Sequence, residues 1–223
     1  MERKIITTAD GSKTIYLPEL DEHYHSKHGA IQEAYHVFIK MGLDFLIQKK
    51  LLNLNILEIG FGTGLNAFIT FLQAKKQGLQ INYTGVEAFP IPSSEVVGLN
   101  YVELLSASES SEVFDKIHQV SWEQNHEIEA FFTLKKRQMR FEDINDFELY
   151  NLIYFDAFGA RVQPELWTVE IFKKMHKALK PEGVLVTYSA KGSVRRALQQ
   201  VGFLVERLPG PPGKREMLRG VKV

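Results

Sequence analysis

Three glycines at alternate positions separate an apolar run from a helix-like pattern in Leu54-Asn-Ile-Leu-Glu58-Ile-Gly60-Phe-Gly62-Thr-Gly64-Leu-Asn66. A buried strand that enters a helix through such a turn brings its backbone up to a ligand with no Cβ in the way, and the glycines let the turn visit positive φ. The spacing is G-x-G-x-G, not the G-x-G-x-x-G of a dinucleotide fingerprint, and Glu58 precedes it by two residues. A carboxylate there repels a pyrophosphate and suits a ligand with a cationic amino-acid end, such as S-adenosylmethionine. Two further acids stand at expected strand ends. Glu87 closes Tyr83-Thr-Gly-Val-Glu87, 23 residues after Gly64, near the ~20-residue spacing at which an acid takes ribose hydroxyls. Asp143, in Phe141-Glu-Asp143-Ile, follows the third strand, where it is either an adenine contact or an acid on a surface loop.

The fourth strand of the series ends in Asn151-Leu-Ile-Tyr-Phe-Asp156-Ala-Phe158, followed by Pro164-Glu-Leu-Trp167. A carboxylate directly after an apolar strand sits at the sheet's carboxyl edge, where ligands bind in open α/β folds. An amine accepts an alkyl group only as the free base. A neighbouring carboxylate can orient the ammonium and take its proton, and aromatic faces stabilise the charge that develops. Asp156, Phe158 and Trp167 supply those types. The structural alternatives are a helix cap for Asp156 and core packing for Phe158 and Trp167.

Histidines cluster in His23-Tyr24-His25-Ser26-Lys27-His28, with Glu33 and Tyr35 following. No convincing ligand set accompanies them, so a lid or a plain surface loop is expected and no metal. The C-terminal residues 191–223 carry eight basic side chains against Glu206 and Glu216, a net +6. Arg195, Arg196, Lys214 and Arg215 lie in this excess. They are candidates for phosphate contacts to a nucleic acid, with a solvated helix face the alternative for the two on the helix.

These side chains need a frame, and the rest of the chain provides one. Its 223 residues are 44% hydrophobic, with 27 Lys+Arg balancing 27 Asp+Glu, an ordinary globular composition. The absence of cysteine excludes disulfides, thiolate nucleophiles and Cys-based zinc sites. No apolar run approaches the ~20 residues needed to span a bilayer, and no secretion signal opens the chain, so a cytoplasmic location is expected. Strand-like runs at 54–59, 80–86, 130–136, 151–155 and 183–188 alternate with helical patterns at 64–76, 92–105, 164–179 and 193–201. The stretch 106–128 is mixed. Such alternation predicts an α/β fold with a mostly parallel sheet and helices on both faces. Runs at 203–207 and 216–221, joined by Pro209-Gly-Pro-Pro-Gly213, should pair antiparallel. Two short β-prone runs around Ala9-Asp-Gly-Ser12 and a helical pattern over 30–52 form an N-terminal extension to a core spanning 53–223. No linker divides the chain, so 1–223 is expected to be one domain.

With these pieces assembled, the sequence resembles the methyltransferase domain of the MnmC family. The resemblance runs through Tyr24-His-Ser26 with Gly29 and Glu33, Glu58 to Asn66, Glu87-Ala-Phe-Pro90 and Asp143-Ile. It continues in Asp156-Ala-Phe158 with Pro164-Glu-Leu-Trp167, in Gly192-Ser-Val-Arg-Arg196, and in Gly213-Lys-Arg-Glu-Met-Leu218. The Asp-Ala-Phe…Pro-Glu-Leu-Trp block and the terminal Lys-Arg-Glu-Met-Leu are its most specific parts. The resemblance implies a Rossmann-like, S-adenosylmethionine-dependent fold with a seven-stranded sheet and an antiparallel last strand. It also implies methylation of the exocyclic amine of 5-aminomethyl-(2-thio)uridine at the tRNA wobble position. Carried over by position, Gly60, Gly62, Gly64 and Glu87, with Glu58 and Asp143, would bind the cofactor, and Asp156 would face the reacting amine. The sequence ends at Val223 without the flavin-dependent domain of the bifunctional enzymes, so no FAD chemistry is expected. The anticodon loop of tRNA is the implied partner, and neither a membrane nor an obligate protein partner is implied. The alternatives are a methyl- or aminopropyltransferase acting on a small amine, and a non-catalytic cofactor- or RNA-binding module.

Overall fold

The computed structural model describes residues 2–223. The N-terminal strands β1 (Lys4–Thr7), β2 (Lys13–Leu17) and β3 (Glu22–His23) form a small antiparallel sheet. A second sheet has eight strands: β4 (Asn53–Ile59), β5 (Gln80–Glu87), β6 (Asn125–Glu129), β7 (Phe132–Gln138), β8 (Tyr150–Phe155), β9 (Leu179–Thr187), β10 (Phe203–Pro209) and β11 (Glu216–Lys222). Their order is β10-β11-β9-β8-β4-β5-β7-β6. The five central strands, β9 through β7, pair parallel. Strand β11 enters between β9 and β10, antiparallel to both. The fold class is the expected one, with one strand more than the seven anticipated. The addition is β6, an edge strand antiparallel to β7. Its sequence Asn-His-Glu-Ile-Glu buries only Ile128. An edge strand with a single apolar residue has no run of apolar positions to announce it.

Period-two alternation assigns the strand residues to faces. In β4, Leu54 and Ile56 join one apolar cluster, while Leu57 and Ile59 join the other. The helices on the first face are α1 (Ala30–Ala34), a π-helical stretch (Tyr35–Leu43), α2 (Asp44–Gln48) and α3 (Leu65–Gln77). Two short helices follow, α4 (Ser93–Val96) and α5 (Tyr101–Leu104), and then α6 (Ser111–Gln119). On the second face lie α7 (Val169–Ala178) and α8 (Gly192–Gln200).

Three expected helices take a different form. The one over 30–52 is continuous but π-wound at its centre, and its Val37, Phe38, Leu43 and Leu46 are buried in the same cluster as Ile56 and Leu152. It therefore covers the sheet. The helix expected over 92–105 is broken into α4 and α5, and β1 lies against the break: a Cβ on Gly98 would stand 2.3 Å from the Ile5 side chain. The third, over 164–179, begins as a 3-10 turn at Pro164–Trp167, and Thr168 then caps α7 by accepting from Ile171 N at 3.4 Å.

Candidate functional site

The glycine turn is bound to both neighbouring strands. Gly60 N and Phe61 N donate to Val86 O at 3.0 and 3.1 Å, holding the turn on β5. At Gly60, φ is +91° and a Cβ would lie 2.7 Å from the Asp156 carbonyl oxygen. Only glycine lets the β4 exit pass this close to the β8 exit. Glu87, at the end of β5, accepts from Gly62 N at 3.1 Å and from Phe89 N at 2.9 Å. One carboxylate thus ties the turn to the β5 exit, and charge-assisted bonds of this kind contribute roughly 1.5–3 kcal/mol each. Gly64 stands at the N-terminal boundary of α3.

Strand register determines where the other acids fall. Glu58 pairs with Tyr154 across β4 and β8, so Asp156, two residues on, projects from the same sheet face just past the strand tip. That face is covered by α3, whose second residue is Asn66. The Asn66 carboxamide donates to Glu58 Oε1 and to Asp156 Oδ2, each at 2.9 Å. Tyr83 OH donates to the second Glu58 oxygen at 2.9 Å. Glu58 is 1% exposed, and burial holds its carboxyl well above the usual range against the pull of its two donors. Asp156 is also pushed up, to about 7. Burial is the main cause and the Glu33 carboxylate adds to it, while the Asn66 donor and the Lys214 ammonium act the other way.

Asp156 belongs to two cavities at once. A cleft of about 320 Å³ runs from the glycine turn past Glu87 and Phe89 to Arg140, Phe141 and Glu142. A second chamber of about 290 Å³ is enclosed by Glu22 to His28 and Glu33 on one side and by Tyr188, Gly213 and Lys214 on the other. Tyr24, His25, Asp156 and Phe158 line both. Phe158 and Tyr24 meet edge to face with centroids 5.1 Å apart, forming the throat. His25 bonds Thr14 Oγ1 at 3.0 Å through Nδ1, and burial lowers its pKa to about 4, so the imidazole is neutral at pH 7. In the second chamber the Lys214 ammonium pairs with Glu33 and sits 3.8 Å from the centroid of the Tyr188 ring.

The sequence candidates divide accordingly. Gly60, Gly62, Glu87, Asp156 and Phe158 line the first cleft, and Lys214 the second. Glu58 lines neither, because it lies behind Asn66 on the helix-covered face. Asp143 is exposed and outside the cleft, while its neighbour Glu142 lines it. Trp167 is 5% exposed, donates Nε1–H to Phe158 O at 2.7 Å, and packs on Phe155 and Tyr188 in the second core cluster. It holds the Phe158 backbone from behind. Trp167→Ala is therefore expected to lower stability by ~3–5 kcal/mol, as a large aromatic deletion in a core does, with urea unfolding as the measurement.

Arg195 and Arg196 lie on α8 and line neither chamber, and Arg215 is exposed beside Lys214. Much of the C-terminal basic excess is engaged within the chain. Arg207 pairs with Glu216, Lys214 with Glu33, Arg219 with Glu206 and Lys222 with Glu148. Sequence reasoning missed Asn66, Tyr188 and Phe89. Asn66 closes the glycine motif itself, and its carboxamide two residues past Gly64 was the available signal. Among the described residues no group of three or more His, Asp or Glu side chains is placed to hold a metal, and no helix is long and apolar enough to cross a membrane.

A family model described as S-adenosyl-L-methionine-dependent methyltransferase matches residues 108–223. That span includes Asp143, Asp156 and the C-terminal strands and begins after the glycine turn. The tRNA 5-methylaminomethyl-2-thiouridine biosynthesis bifunctional protein MnmC of Polaromonas naphthalenivorans is 29% identical over 226 residues, covering 96% of this chain and 34% of that protein. The chain spans about a third of the length of the curated relatives it matches. Among solved structures, MNMC2 from Aquifex aeolicus superposes with a TM-score of 0.77 at 24% identity, covering 98% of this chain and 70% of that one. Spermidine synthase from Thermotoga maritima gives 0.54 at 14% identity, covering 99% and 73%. The last two likenesses are of fold. The resemblance read from the motifs is borne out across nearly the whole chain.

Proposed function

The chain belongs to a family of S-adenosyl-L-methionine-dependent methyltransferases, and from that premise we propose that it methylates the exocyclic amine of 5-aminomethyl-(2-thio)uridine at the tRNA wobble position. The product is 5-methylaminomethyl-(2-thio)uridine, and residues 1–223 act as one catalytic unit. The observation that carries this reading is the position of Asp156 on the wall common to two chambers, where a donor held on one side and an amine on the other meet the same carboxyl. The specific acceptor is suggested by the name of the MnmC relative, similar over 96% of the chain.

The first cleft fits S-adenosylmethionine. Gly60 and Gly62 line it with backbone alone, and a Cβ on Gly62 would stand 3.1 Å from the Tyr24 ring that lines the same cleft. Among the residues that line it, Glu87 would accept from the ribose hydroxyls, Phe89, Phe141 and Glu142 would serve the adenine, and Gly60, Gly62 and Asp156 would serve the methionine portion. When bound, the cofactor supplies an electrophilic methyl group on a sulfonium. The chain's own groups do the rest. Tyr24 and Phe158 exclude water at the throat. His25, neutral at pH 7, adds no cation to the site. Asp156 would hold the acceptor's ammonium and take one of its protons so that the nitrogen lone pair is free; after that proton passes to solvent, the carboxylate would pair with the cationic methylated amine.

A carboxyl near neutrality must be ionised to receive that proton. The methyl-transfer kcat/KM is therefore expected to rise with pH through a limb near pH 7, the value to which Asp156 is pushed. A limb that persists unchanged in Asp156→Asn assigns it to another group.

The second chamber also bears on the small-amine alternative, because Glu22, Glu33 and Asp156 line it. Lys27 and Lys214 line it too, Lys214 paired with Glu33, so the charge of the lining does not by itself separate a nucleotide from a polyamine. Mass spectrometry of wobble nucleosides from cells lacking the protein tests the proposal. Accumulation of the aminomethyl nucleoside supports it, and an unchanged nucleoside profile refutes it. Incubating the purified protein with labelled cofactor and either unmodified-amine tRNA or putrescine separates the two acceptor classes.

A further inference from the structure

Glu58 lies outside both chambers, one step behind Asn66, and this gives it a task other than meeting the cofactor. We propose that Glu58 and Asn66 are positioning residues for Asp156: Glu58 fixes the Asn66 carboxamide, and the carboxamide fixes the Asp156 carboxyl on the wall between the chambers. The inference rests on the reading of Asp156 as the group that meets the acceptor amine.

The geometry is a chain of three bonds, Tyr83 OH to Glu58, Asn66 Nδ2 to Glu58 and Asn66 Nδ2 to Asp156, each 2.9 Å long. An amide nitrogen has two hydrogens in one rigid plane, so an acceptor on the first sets the direction of the second. The terminal torsion of asparagine is otherwise broad. With Glu58 and Asp156 both drawing on Nδ2, a flipped carboxamide would turn its carbonyl oxygen toward two carboxyl groups. Glu58 therefore decides which end of Asn66 faces Asp156. The arrangement leaves Asn66 Oδ1 buried with no hydrogen-bond partner. A buried acceptor left unmet is destabilising, so packing alone does not account for this pose. Each member is also positioned by the fold rather than by chance contact. Glu58 and Asp156 share a sheet face through strand register, and Asn66 is fixed in the first turn of α3.

The test is a titration of the Asp156 carboxyl by carbon NMR in cofactor-free protein labelled at aspartate. A donor to a carboxylate favours its charged form, so losing the donor raises the midpoint. Asn66→Ala is expected to raise the Asp156 midpoint by about one unit or more. Glu58→Ala moves it the same way by less, because Asn66 is then free to turn, and Tyr83→Phe by less again, because Glu58 then loses the donor that holds its second oxygen. Glu58→Gln retains an oxygen for Asn66 and is expected to restore the wild-type midpoint. A midpoint that stays fixed or falls in Asn66→Ala overturns the proposal, as does a Glu58→Gln variant that behaves like Glu58→Ala. If Asn66→Ala fails to fold, the contrast between Tyr83→Phe and Glu58→Gln decides the matter, since both keep the core volume. Assays of Asp156→Asn keep the two readings apart. Unimpaired methyl transfer in that variant removes the functional role of Asp156, whereas the titration reports on the positioning chain alone.

Discussion

Replacing Asp156 with alanine is expected to lower the methyl-transfer rate by about a thousandfold, within the ~10²–10⁴-fold attributed to a positioned proton acceptor, while S-adenosylmethionine affinity is largely kept. The division follows from the cavity geometry. The glycine turn and Glu87 grip the first cleft from the β4 and β5 exits, and Asp156 touches that cleft only at its end, where the second chamber begins. Deleting the carboxyl removes the proposed acceptor of the amine's proton and leaves the turn intact, because the contact at Gly60 is to the Asp156 backbone oxygen and survives the substitution. Single-turnover kinetics with pre-bound cofactor measures the rate, and calorimetry measures the affinity. A variant that binds cofactor normally and transfers methyl at the wild-type rate refutes a chemical role. One that loses both in proportion to its unfolded fraction makes Asp156 a structural residue.

The second large effect belongs to Glu87. Glu87→Ala is expected to raise the dissociation constant for S-adenosylmethionine by ~10–100-fold, since a hydrogen bond to a charged group is worth roughly 1.5–3 kcal/mol and each 1.4 kcal/mol is tenfold. Two losses add here. The proposed contact to the cofactor is lost, and Gly62 N and Phe89 N lose the acceptor that holds the turn against the β5 exit. Glu87→Gln keeps one oxygen for those amides and should recover part of the affinity. Titration calorimetry on the two variants separates the contributions, and unchanged affinity in Glu87→Ala removes the residue from the site.

Local sequence was most informative where one segment carries both the backbone requirement and the side chain. The strand, the three glycines and the helix at 54–77 were legible because each needs only its own neighbours. Glu87 and Asp156 were legible for the same reason, one as the last residue of β5 and the other as the first residue after β8. Candidates whose role depends on what faces them were less so. Trp167 and Phe158 are both aromatics shortly after Asp156 in the chain, eleven and two positions on, yet one is a core support and the other a throat residue. Asp143 and Glu142 are adjacent acids, and only the turn decides which one lines the cleft. Basic residues counted along the C-terminal third look like a positive face, but four of them are paired, two with acids from distant segments, Glu33 and Glu148.

By itself the sequence determined the alternation of strands and helices, the glycine turn and the acids Glu87 and Asp156 at the β5 and β8 exits, because apolar periodicity and positive φ are properties of a few consecutive residues. Tertiary structure alone decided that the N-terminal segment closes a second chamber over Asp156, that Lys214 crosses to Glu33, and that Glu58 lies behind Asn66 instead of in the cleft. Those outcomes depend on strand register and on contacts between residues far apart in the chain, up to 181 positions for Lys214 and Glu33, and no local pattern encodes a partner at that distance.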